Sequence, residues 1–202
     1  MTNVARIAAM VLDLLVFLAV SSCVVRILYT ARQGKELRKR LNTFRYFTTD
    51  SNIFCAVSCL VSALGLISLP EGAWLSHGLL VFRYIGTVAV TVTFLTVMFF
   101  LGPTIGYKPM LSDTSLWLHL ICPVLAIVSL LLEKGSALFP ADMLWGLVPV
   151  VLYGLLYLYM VVLRKGEKWE DFYGFNRNGK WPVSMALMFA GAGVICAVLY
   201  LI

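Results

Sequence analysis

The stretch "FRYFTTDSN", residues 44–52, opens an apolar run with an arginine, two threonines, an aspartate, a serine and an asparagine. Within it, Thr48 and the distant His119 are a hydroxyl and an imidazole of the kind used for nucleophilic catalysis. A hydroxyl is a weak nucleophile alone and needs a neighbouring base to take its proton. Histidine serves because it titrates near neutral pH. Asn52 falls one helical turn after Thr48 on the same face, and its amide is a donor suited to a developing oxyanion. Thr48 as nucleophile, His119 as base and Asn52 as support are therefore the candidate site. Thr49 points about 100° away from Thr48 on a helix, and Asp50 is assigned to Arg45 or to a backbone cap. The competing reading is structural. Threonine in a membrane helix commonly bonds its own backbone one turn back, and a single histidine often serves as an interhelical polar contact.

These residues need elements to hold them, and composition says which. The chain is 61% hydrophobic and 13% charged, with a mean hydropathy of +0.91. A soluble domain is roughly 45–50% apolar and about 25% charged. The chain reads as an integral membrane protein with one domain over residues 1–202. Spanning helices need about 20 apolar residues. Six segments qualify, at about 7–29, 44–69, 77–101, 116–132, 143–163 and 182–202. Backbone groups in hydrocarbon must be satisfied within the segment, so the fold class is all-α, a bundle of six transmembrane helices. The runs are too long for the alternating strands of a membrane barrel.

Loop charge gives an orientation. Loops one, three and five carry eleven Lys and Arg, from Arg32 to Lys180, whereas the opposite side carries Arg6 and Lys134. The positive-inside rule places the three basic loops in the cytoplasm and both termini outside. The short loops suit a bacterial plasma membrane. No A-x-A-like cleavage site marks the first segment as a removable signal. Basic residues confined to loops argue against nucleic acid as a partner; the expected partners are the membrane and a lipid substrate from the bilayer. The sequence leaves the oligomeric state open.

Depth follows from a rise of about 1.5 Å per residue. The second and fourth segments enter from the same side, so Thr48 and His119 are expected at similar depth, within about a hydrogen bond of each other or bridged by one water. Asp13 and Arg83 lie nearer the other face and are expected to pair with each other. Arg26 and Arg45 sit near segment ends and are expected to snorkel. The five cysteines all fall inside segments, and Cys55 with Cys59 lacks a histidine and the familiar zinc spacings. They read as small core residues, with no metal and no cofactor expected. Thr87, Thr91, Thr93 and Thr96, with Tyr153, Tyr157 and Tyr159, read as packing and interface residues. Ala186 with Ala190, and Gly193 with Ala197, read as close-packing pairs within the bundle or between subunits.

"FRYFTTDSN", followed some seventy residues later by "LHLICPVLAIVSLLLE", resembles the androgen-induced / androgen-dependent TFPI-regulating protein family of multi-pass membrane hydrolases, and compact six-helix bacterial proteins of the same pattern. Thr48 matches the family's threonine, and His119 with Pro123 matches its second element. The resemblance implies a threonine hydrolase of fatty acid esters of hydroxy fatty acids, with Thr48 attacking and His119 as its partner. The alternative class is a non-catalytic lipid-binding or transport protein. A transporter would show paired broken helices and an internal repeat, and no two halves of this chain match. Serine-elbow, metalloprotease, P-loop and dinucleotide motifs are missing.

Overall fold

A computed structural model describes residues 2–33, 42–70, 73, 75–133 and 138–202. Lys35, Arg38, Lys39 and Arg40 of the first loop, and Lys134 on the other side, lie outside the described residues. The chain is an all-α, multi-pass membrane protein with six helices long and apolar enough to span a bilayer. They are α1 (Asn3–Gln33), α2 (Phe47–Ser68), α3 (His77–Ile105), α4 (Asp113–Glu133), α5 (Pro140–Leu163) and α6 (Trp181–Leu201). Short helical turns at Asn42–Arg45, Tyr107–Met110 and Arg177–Gly179 lie in the connections. Helix α1 packs on α2 and α4, α2 packs on α3, and α3 also touches α4, α5 and α6. Helix α3 is therefore the hub. Accordingly Tyr84, Val88, Ala89 and Val90 on it are fully buried.

Close approach at the hub is permitted by glycine. A Cβ on Gly86 of α3 would lie 3.1 Å from the Cys55 Cα on α2 and would run into the Ser58 hydroxyl. Helix association in lipid relies on such close packing and on interhelical hydrogen bonds. Examples of the latter are Ser51 Oγ with Thr93 Oγ1 at 2.8 Å and Tyr84 donating to the Cys196 carbonyl at 2.6 Å. Arg6 on α1 closes the C-terminal end of α2 by donating to the carbonyls of Leu66, Leu69 and Pro70. A cation there also meets the negative end of the helix dipole. The pairs singled out on α6 do not make its bundle face. Ala186 and Ala190 are exposed, a Cβ on Gly193 would meet nothing within 4 Å, and Ala192, Cys196 and Leu199 are buried instead.

Helices α3 and α4 share one device. Each contains a π-helical turn, at Val97–Leu101 and Trp117–Ile121, followed at once by Gly102-Pro103 or Cys122-Pro123. In π register an amide bonds the carbonyl five residues back, and proline has no amide hydrogen to give. Met98 and Leu118 are the carbonyls left over. The Tyr107 hydroxyl donates to the Met98 carbonyl at 2.8 Å, and Asn52 Nδ2 donates to the Leu118 carbonyl at 3.0 Å. A buried orphan carbonyl is costly where no water reaches it. With Tyr107 on the Met98 carbonyl, α3 runs past Gly102-Pro103 to Ile105, beyond the end at 101 that hydropathy gives.

The expected Asp13–Arg83 pair is present, with Arg83 Nη2 3.0 Å from Asp13 Oδ1. Both side chains are fully buried, together with Glu133 at the end of α4. Arg26 instead faces solvent with Asp113 at 3.4 Å. Arg45 stacks over the Trp169 ring, 5.7 Å from its centroid.

Candidate functional site

A cavity of about 560 Å³ lies between α2, α3, α5, α6 and the 164–180 connection, toward the end that carries the basic loops. Its walls are mostly apolar, including Phe47, Val97, Leu101, Val150 and Leu187. Polar groups are few: Thr48 on α2, Thr93 and Thr96 on α3, Tyr153 and Tyr157 on α5, Ser184 on α6, and Tyr173 and Arg177 from the connection. A pocket of this size and character falls in the range of small-molecule sites, roughly 300–1,000 Å³.

The connection forms its wall because of Asp171. The carboxylate accepts from the Phe175 and Asn176 amides, each at 2.8 Å, and from the Tyr157 hydroxyl at 3.2 Å. An aspartate side chain that accepts from nearby amides fixes a turn in place of backbone bonds. Gly174 completes it in the left-handed region, at φ +62°. The turn buries Phe175 against Tyr157 and Val161 and places Tyr173 inside. The Tyr173 hydroxyl meets the side chains of Tyr153 and Thr48, and burial pushes its phenol up to about 12.

Thr48 is thus on the cavity wall with Tyr173 as its polar neighbour. Thr49 is buried and donates to the Thr43 carbonyl at 2.9 Å, tying the preceding turn to α2. The two adjacent threonines divide the work, one facing the cavity and the other the backbone. Asp50 is exposed in the first turn of α2, where a carboxylate suits the positive end of the helix.

His119 is not part of this wall. Its Nδ1 donates to the Met110 carbonyl at 2.6 Å. Among the described residues it makes no direct hydrogen bond with Thr48. Asn52 explains why. Its amide spans from the Thr48 carbonyl at 2.8 Å to the Leu118 carbonyl at 3.0 Å, so α4 turns its Leu118 side toward α2. His119, the next residue, then projects about 100° around the helix, toward Met110. Rise along a helix fixes depth, while a hydrogen bond to one carbonyl fixes rotation. The same bonds remove Asn52 from the oxyanion role: both amide hydrogens are engaged by backbone, the residue is fully buried, and it does not line the cavity.

The threonine and tyrosine stripes divide between roles. Thr87 and Thr91 bond within α3 and serve packing, whereas Thr93, Thr96, Tyr153 and Tyr157 face the cavity. Cys55 and Cys59 are buried free thiols 4.0 Å apart, and among the described residues no group of three metal-ligating side chains fit to hold an ion is found. Tyr173, Asp171 and Arg177 were missed in the sequence. The available signal was "DFYGFNR", a polar and aromatic run with a glycine, joining two apolar helices. No protein-family model, curated protein or solved structure matches this chain.

Proposed function

We propose that this protein binds a single-chain amphiphile with an anionic head, drawn from the bilayer into the cavity between α2, α3, α5 and α6. The observation that carries this reading is the cavity's polarity pattern. A mostly apolar slot carries a small group of hydroxyls and, among the described residues, one exposed guanidinium, Arg177, and no carboxylate on its wall. A lipid chain gains little by leaving lipid for an apolar slot, so recognition rests on the hydroxyls and on Arg177. By the positive-inside rule the mouth faces the cytoplasm.

A second reading, hydrolysis of a lipid ester by Thr48, is favoured by the place of that hydroxyl on the wall and by the family resemblance. In it Tyr173, rather than His119, is the side chain placed to exchange a proton with Thr48. A phenol pushed up to about 12 stays protonated at neutral pH and is no ready base for the Thr48 proton, which is why binding ranks first.

Native mass spectrometry of protein purified in mild detergent tests both. A retained single-chain anionic lipid, lost in the cavity-filling Thr96→Phe variant while folding is kept, supports binding. Turnover of long-chain fatty acid esters and fluorophosphonate labelling, both abolished in Thr48→Ala and partly kept in Thr48→Ser, would make hydrolysis the function. An empty wild-type cavity with neither activity, over a range of lipids, would refute both. Cysteine labelling at Lys168 from the cytoplasmic side and at Ser76 from the other tests the orientation.

A further inference from the structure

None of the side chains that seal the second polar region of the bundle lines the cavity. Asp13 on α1, Arg83 on α3 and Glu133 on α4 are 0%, 0% and 1% exposed. Arg83 Nε and Nη2 both donate to Asp13 Oδ1, at 3.1 and 3.0 Å. Its Nη1 donates to Thr87 Oγ1 at 2.5 Å, and Nη2 also reaches the Ala126 carbonyl at 3.0 Å. Glu133 Oε2 lies 3.9 Å from Arg83 Nε and accepts from Ser62 on α2 at 2.8 Å. The thiols of Cys55 and Cys59 face Arg83 from α2 as well.

Two separate counts fail if both carboxyls are ionised. The first is charge: one guanidinium stands against two carboxylates, leaving a net negative charge in a membrane interior where uncompensated charge costs several kcal/mol. The second is donors. Ser129 Oγ lies 2.7 Å from Asp13 Oδ1, 3.0 Å from Glu133 Oε1 and 3.3 Å from the Ala9 carbonyl. A hydroxyl has one hydrogen to donate, so two of those contacts would set lone pair against lone pair. Asp13 Oδ2, moreover, is buried with no hydrogen-bond partner, while the Glu133 carboxyl lies against the Asp13 carboxyl. One added proton cancels the net charge and supplies a hydrogen to one of these unmatched contacts.

We infer that the Asp13–Glu133 carboxyl pair is an intramembrane proton-binding site, holding one exchangeable proton at neutral pH with Arg83 as its fixed counter-charge. On Glu133 Oε1 the proton is donated to Ser129 Oγ, which donates its own hydrogen to Asp13 Oδ1. Between the carboxyls it supplies the missing partner of Asp13 Oδ2. The two arrangements differ only in the position of hydrogens, and in both the cluster is neutral.

Infrared spectroscopy of the full chain in lipid nanodiscs at neutral pH reads the proton directly. The wild type should show the carbonyl stretch of a protonated carboxyl group, sensitive to deuterium exchange and displaced by carbon-13 labelling of glutamate or of aspartate. Glu133→Gln keeps a donor in place, so it should fold and lose that band. Absence of the band in labelled wild type would overturn the inference, as expected if a metal cation balanced two ionised carboxylates. Persistence of the band in both Glu133→Gln and Asp13→Asn would overturn it too. Should Glu133→Gln fail to fold, the labelled wild-type spectrum decides alone.

Discussion

Arg177 gives the sharpest test of amphiphile binding. Among the described residues it is the cation on the cavity lining, it is exposed, and the other polar side chains there are hydroxyls. Replacing it by glutamine removes the charge and keeps a hydrogen-bond donor. A charge-assisted hydrogen bond contributes about 1.5–3 kcal/mol when sheltered, and an exposed ion pair about 0.2–1 kcal/mol. At the mouth of a half-enclosed slot the contribution should fall between, near 1–1.4 kcal/mol. That is about a five- to tenfold change in Kd. The assay compares a fatty acid with the fatty alcohol of equal chain length, each competing with a fluorescent analogue on protein in neutral detergent. Wild type should prefer the acid about five- to tenfold, and Arg177→Gln should bind the two equally, with alcohol affinity unchanged. Raising salt to 1 M shortens the screening length to about 3 Å and should shrink the wild-type preference. An undiminished preference in Arg177→Gln would show that the head group is not held at this mouth.

Tyr173→Phe should leave a spectrophotometric titration unchanged up to about pH 10, where an ordinary tyrosine ionises, because burial pushes Tyr173 up to about 12. The folded state favours the neutral phenol, so above about pH 10 wild-type stability should fall faster than that of Tyr173→Phe, measured by thermal unfolding. Asn52→Leu should cost about 1–2 kcal/mol by stranding the Leu118 carbonyl. The figure is reduced because Asn52 Oδ1 itself lacks a partner. Pro123→Ala restores an amide hydrogen to that carbonyl, so the double variant should recover much of the loss in denaturant unfolding; strictly additive effects would refute the proline account.

Hydropathy and length alone determined the class of this protein. Six runs of apolar residues in a medium without water have one way to satisfy their backbones, so six helices followed with bounds close to those observed. The Asp13–Arg83 pair was legible too, because two opposite charges at matching depth have few other partners in lipid. Thr48 was legible as a polar group at the start of α2, but its partner was not. Periodicity gives the height of a residue on its helix; the rotation of α4 about its axis is set by Asn52 meeting a carbonyl orphaned by Pro123. That bond joins residues 66 apart in sequence, and it turns His119 toward Met110 while Tyr173 arrives beside Thr48. The cavity likewise belongs to tertiary structure: Asp171 helps fold a polar connection back onto α5, and that connection walls an apolar space between helices whose sequences, read singly, describe membrane spans.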